Sequence, residues 1–125
     1  MSPTTVVVIP ARNEADRIGP VLDGVRSEVP DAVIVVIDDG SDDATAAVAA
    51  SRGAVVIRHA FNLGYGAALQ TGYHYARNHR FDRLVQLDGD GQHDPASLHD
   101  LLDRLDEADD WIAERAGEGD LVVTG

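Results

Sequence analysis

Residues 87–95 read LDGDGQHDP, with Asp88 and Asp90 one glycine apart and Gln92, His93 and Asp94 following before Pro95. Carboxylates this close together serve either as oxygen donors to a hard cation or as turn and helix caps. Asp88-x-Asp90 opens like a calcium loop, but that loop needs glycine where His93 stands and glutamate where His99 stands. Asp94 is placed to cap a helix that has Pro95 at its first position. Three more polar clusters occur: PARNE (10–14), DDGSDDAT (38–45) and RHAFNLGYG (58–66). Each has a bland reading beside a functional one. Asp38–Ser41 can turn the chain and cap a helix, and Asn62–Gly66 can be a glycine loop entering one. Gly64-x-Gly66 is followed by Leu69 where a dinucleotide fingerprint wants glycine or alanine. His59, His74, His79, His93 and His99 share no metal-ligand spacing, and most read as surface residues.

The elements that must position these clusters follow from the apolar runs. TVVVI (5–9), AVIVVI (32–37), AVVI (54–57), RLVQL (83–87) and LVV (121–123) are β-branched and mostly continuous, as in parallel strands covered on both faces. Helical spacing lies between them. Leu98, Leu101, Leu102 and Leu105 form one stripe over 95–105, and Ile18, Val21, Leu22 and Val25 form another over 16–29. Pro20 places the start of that second helix near Asp16 or Arg17, so that the proline stays close to the first turn. The 42–52 pattern is weaker and alanine-rich. After its glycines, 64–79 presents Leu69, Gly72, Tyr73 and Ala76 on one side. Strands alternating with helices predict right-handed crossovers and an open, twisted, mostly parallel sheet with helices on both faces. Residues 103–120 carry eight acidic residues and two arginines and read as a frayed helix end with a solvated connection.

Composition narrows the function. The 125 residues suit one domain. Ten basic residues, all arginine, face 22 acidic ones for a net charge of −12, which disfavours nucleic acid and anionic lipid as partners. Without lysine there is no Walker loop. Without cysteine there is no thiol nucleophile, thiolate metal site or disulfide framework. The N-terminal apolar run is too short for a signal peptide or a membrane span, so the chain reads as soluble.

In open parallel sheets ligands bind beyond the carboxyl ends of the strands, where all four polar clusters fall. Taken in order, VVVIPARNE, VVIDDGSDDAT, FNLGYGAALQTGY and VQLDGDGQHDP resemble the N-terminal half of a family 2 glycosyltransferase. The nearest branch is the dolichyl- or polyprenyl-phosphate sugar transferases with a GT-A fold. The resemblance is strong over 5–95 and weak over 120–125. It implies that Pro10, Ala11 and Glu14 line the nucleotide pocket and that Asp39 accepts a hydrogen bond from the base. Asn62 and Gly66 would lie by the nucleotide, and Asp88 by the ribose and metal shell. Asp90 would ligate the metal, with Gln92 as an additional ligand. Carboxylate and amide oxygens suit Mg²⁺ or Mn²⁺, and in a lysine-free chain such a cation can offset the diphosphate where ammonium groups cannot.

The implied activity is metal-dependent, inverting transfer from a nucleoside-diphosphate sugar to an acceptor, a polyprenyl phosphate in this branch. The implied location is the cytoplasm, at the membrane face in the full-length protein. Two departures stand out. Arg12 occupies a position where relatives often carry tyrosine, and it could alter stacking on the base or help hold a phosphate. The family also continues past DLVVTG into a Gly-x-Arg segment and an acceptor half, so 1–125 is expected to be the donor-binding domain alone. Two alternatives stay open. One is a nucleotide-binding or regulatory module without turnover. The other is a sugar-nucleotide nucleotidyltransferase, which would need a glycine-rich, Arg/Lys-bearing loop where PARNE stands.

Overall fold

The two longest apolar runs become strands buried on both faces, whereas the AVVI run, also expected to be covered on both faces, forms a less buried strand with Val55 exposed. The computed structural model describes residues 4–87, 113–117 and 120–124. Its elements are β1 (Thr5–Ala11), α1 (Ala15–Glu28), β2 (Val33–Asp38), α2 (Thr45–Ser51), β3 (Val55–Arg58), α3 (Tyr65–Asn78), β4 (Arg83–Gln86), β5 (Ala113–Gly117) and β6 (Asp120–Thr124). They form one sheet of order β3-β2-β1-β4-β6-β5. β3, β2, β1 and β4 run parallel, while β6 is antiparallel to β4 and to β5. Every residue of β1 is buried.

Alternate strand residues serve two cores. Val7, Ile9, Ile34 and Val36 pack with Ile18, Val21, Leu22 and Val25 of α1 and Ala49 of α2. Val6, Val8, Val35 and Ile37 pack on the other face with Ala68 and Ala76 of α3. The α1 stripe is the one expected, at most 6% exposed. Burying each such side chain stabilises the fold by roughly 1.5–3 kcal/mol before entropy is subtracted. α1 starts at Ala15, just ahead of the expected Asp16–Arg17, because the Glu14 carbonyl already accepts from the amides of Arg17 and Ile18. Pro20 lies on the exposed side.

α3 buries Gly72 and Ala76 as expected, but its buried stripe takes in Ala68 in place of Leu69 and Tyr73. Its buried residues are Ala68, Gly72 and Ala76, while Tyr73 is 37% exposed and Leu69 is only partly buried. Small residues four apart let the helix lie close on β1. A Cβ at Gly72 would meet Val8 Cγ1 at 2.3 Å.

A second difference lies within 103–120, read from the sequence as a solvated connection. There AERAG forms β5, paired with β6 and irregular between Arg115 and Gly117. Alanine, charge and glycine carry no strand signal, so β5 arises from backbone pairing with its neighbour. The helix expected over 95–105 lies outside the described residues.

Candidate functional site

Strand register sets Ala11, Asp38 and Arg58 side by side at the carboxyl edge of β1, β2 and β3. Three loops leave this edge, and hydrogen bonds join them into one unit. Asn13 sits between the first two at φ 54°, a left-handed conformation that asparagine tolerates better than most residues. Its amide donates to Ser41 Oγ (2.9 Å), and its Oδ1 accepts from the Asp42 amide (2.8 Å). The Glu14 amide donates to the buried Thr45 hydroxyl (2.9 Å). The Ala15 amide donates to Asp43 Oδ2 (3.2 Å). Thr45 in turn donates its hydroxyl to Asp43 Oδ1, and these contacts hold the Asp43 carboxyl below the usual carboxylate range, with the Thr45 hydroxyl the main cause.

The first amides of α1 are therefore satisfied by a neighbouring loop. The Glu14 carboxylate lies beside them, bonded to Arg17 Nε at 2.6 Å. With Glu14 and Asp43 both at this helix start, its dipole is already answered by negative charge.

The third loop is fastened to the second through Asp39, which is 5% exposed. Oδ1 accepts from the Leu63 amide (2.9 Å) and from His59 Nδ1 (2.8 Å). Oδ2 accepts from the Gly64 amide (2.9 Å). Burial opposes ionisation here, but His59 and the two amides outweigh it and hold the carboxyl below its ordinary range. Gly40, at φ +72°, lies under the same loop. A Cβ there would meet the Asn62 nitrogen at 2.4 Å, so backbone crosses backbone at a distance only glycine allows.

Asp38 is fully buried and faces the other way. Its Oδ1 accepts from the Ser41 amide (3.0 Å), while Oδ2 has no hydrogen bond among the described residues and lies 3.5 Å from Arg58 Nε.

The expected site residues fall into three groups. Pro10 and Ala11 are buried at the end of β1, with Glu14 partly buried beyond them. Asp39 gathers the loop that carries Asn62, whose Oδ1 accepts from the Gly64 amide at 3.0 Å. Gly66 is exposed in the first turn of α3, and a Cβ built there meets nothing within 4 Å among the described residues. Asp88, Asp90 and Gln92 lie outside the described residues, and with them the expected metal ligands. Among the described residues, no group of three His, Asp or Glu side chains could hold a metal ion.

Sequence reasoning missed two further groups. His59, grouped there with surface histidines, has a side chain only 10% exposed. The buried Gln86 donates to the Tyr65 hydroxyl (2.9 Å) and accepts from the Tyr73 hydroxyl (2.7 Å). It thereby ties α3 to the strand that leads into Asp88. Burial pushes the Tyr73 hydroxyl up. A polar residue inside a predicted strand, as at Gln86, was the available signal for this pair of bonds. His59 had none.

Comparison with known proteins gives a consistent answer. The family model described as glycosyl transferase family 2 matches residues 6–120. The polyprenol monophosphomannose synthase of Mycolicibacterium smegmatis is 35% identical over 112 residues, covering 85% of this chain and 42% of that protein. The undecaprenyl-phosphate mannosyltransferase of Micrococcus luteus is 32% identical over 123 residues, covering 94% and 51%. This chain thus spans about half the length of these curated relatives or less. Glucosyl-3-phosphoglycerate synthase from Mycobacterium tuberculosis, solved with Mn²⁺, uridine diphosphate and glucosyl-3-phosphoglycerate, superposes with a TM-score of 0.71 at 27% identity. That match covers 86% of this chain and 41% of the synthase.

Proposed function

The chain belongs to glycosyl transferase family 2 and has the GT-A fold, and from this we propose that it binds a nucleoside-diphosphate sugar with a divalent cation for transfer, with inversion, to a polyprenyl phosphate. The observation that carries the proposal is the union of three polar loops into one hydrogen-bonded edge at the carboxyl ends of the parallel strands. A preorganised edge of this kind holds a ligand without being ordered on binding.

In this reading Pro10, Ala11 and Glu14 form one wall of the nucleotide pocket. A carboxylate has about four lone-pair sites, and Asp39 uses three of them on protein donors. One site on Oδ2 is left for an N–H of the base. Asn62 and the open face of Gly66 lie along the nucleotide, where the lack of a side chain admits close approach. Asp88 meets the ribose.

Asp90 and Gln92 would hold Mg²⁺ or Mn²⁺. Their carboxylate and amide oxygens are the donor type both ions take. When bound, such a cation offsets charge on the diphosphate leaving group. The presence of Mn²⁺ and uridine diphosphate in the Mycobacterium tuberculosis synthase supports this choice. Similarity to the Mycolicibacterium and Micrococcus enzymes supports the lipid-phosphate acceptor. That acceptor is already ionised and needs little help from a general base. In this reading the reaction takes place at the cytoplasmic face of a membrane, with residues 1–125 supplying the donor-binding domain.

Calorimetry with UDP and GDP tests the reading. Binding should be much tighter with Mn²⁺ or Mg²⁺ than in EDTA, and Asp90→Asn should weaken the metal-dependent binding at least about tenfold with no change in melting temperature, as for loss of a charged ligand. Equal affinity in EDTA, or an unaffected Asp90→Asn variant, would overturn the assignment.

A further inference from the structure

Among the described residues, the His59 side chain hydrogen-bonds both the second loop and α3. Its backbone amide donates to the Asp38 carbonyl (2.9 Å), extending β3 along β2 by one residue. Its ring then crosses between two elements. Nδ1 is 2.8 Å from Asp39 Oδ1 and must carry the hydrogen, since an ionised carboxylate only accepts. Nε2 is 2.8 Å from Thr71 Oγ1, on the second turn of α3. The ring is 10% exposed and the Asp39 side chain 7%, so water competes little for either bond.

Asp39 is thereby given a fixed orientation, and its other contacts depend on that orientation. The same Oδ1 holds the Leu63 amide and Oδ2 holds the Gly64 amide. Gly64, at φ +105°, is the residue from which α3 begins. Both ends of the short loop that carries Asn62 thus meet at one imidazole–carboxylate pair.

We propose that His59 is a positioning residue for nucleotide binding: it orients the Asp39 carboxylate, and through it the 61–64 loop and the start of α3. The inference rests on the donor-binding reading above and adds to it a residue with no direct contact to ligand. Without the ring, Asp39 would lose its lateral support and turn toward water. The Leu63 and Gly64 amides would then be released, and Asn62 and Gly66 would no longer be held in place.

The test uses His59→Leu, His59→Asn and Thr71→Val in this chain. Asparagine keeps an N–H close to the Nδ1 position, whereas leucine keeps only bulk. Two quantities are read: amide hydrogen exchange at Leu63 and Gly64 in the free protein, and affinity for UDP and for GDP with Mn²⁺. His59→Leu should speed exchange at both amides and weaken both nucleotides by about tenfold, the usual scale for one hydrogen bond to a charged group. His59→Asn should restore most of each. Thr71→Val, which leaves the Asp39 bond in place, should fall between them, and with His59→Asn it keeps the test open if the leucine variant does not fold. Faster exchange with unchanged affinity would overturn the positioning role while leaving the donor-binding reading intact. Equal loss in the leucine and asparagine variants would overturn it too. If the wild-type chain bound neither nucleotide, the donor-binding reading would fall, and this inference with it.

Discussion

Asp39 is the residue on which most of the described site converges, and its chemistry makes stability depend on pH. Its carboxyl ionises more readily in the folded chain than in the unfolded one. In the range where the folded form is ionised and the unfolded form is protonated, the unfolded state binds more protons, so stability rises with pH. The contribution is complete above the ordinary carboxylate range and is lost as pH falls through the lowered folded value. Asp39→Asn removes this dependence. Calorimetric melting from pH 6 down to pH 3 should show wild type well above the variant at the upper end, with the gap closing toward the lower. A gap that stayed constant over that range would mean that the His59, Leu63 and Gly64 contacts do not favour the charged form.

At the scale of elements, the closeness of α3 to β1 sets where the third loop begins. Gly72 is the point of contact. Alanine there would gain up to about 1 kcal/mol of helix propensity. The added methyl would overlap Val8 Cγ1 at 2.3 Å, and Val8 is fully buried in β1, between β2 and β4. Overpacking of this kind costs about 1–3 kcal/mol, so the clash wins. Gly72→Ala should lower the denaturant midpoint without changing the slope of the transition, and it should also weaken UDP binding as α3 is pushed off the sheet. A more stable Gly72→Ala protein would show that helix propensity outweighs the contact with Val8.

The whole molecule carries a net charge of −12 with no lysine. Its field opposes the approach of a nucleotide diphosphate. Raising ionic strength from about 0.01 M to about 0.1 M shortens the Debye length from roughly 30 Å to roughly 10 Å. In EDTA, the affinity for UDP should therefore rise over that salt range, as measured by equilibrium dialysis. A fall would mean that local arginines such as Arg12 and Arg58 outweigh the overall charge at the edge.

Local pattern alone was enough to place β1 to β4, the α1 stripe and the polar carboxyl edge, because burial on two faces and helical period are written in consecutive residues. Val6–Ile9 and Ile34–Ile37 read as strands covered on both faces, and the clusters that follow them fall at their ends. Pattern put Gly72 and Ala76 on the buried side of α3 but could not centre the stripe on Ala68, since Leu69 and Tyr73 are as apolar as the small residues that pack there. Nor could it find β5, whose AERAG sequence pairs only because β6 offers an open edge. Tertiary structure alone joined Asp39 to His59, His59 to Thr71, and Gln86 to Tyr65 and Tyr73. Those partners lie 20, 12, 21 and 13 residues apart. A hydrogen bond at such separation depends on where two elements come to rest, and no periodicity in the chain encodes that.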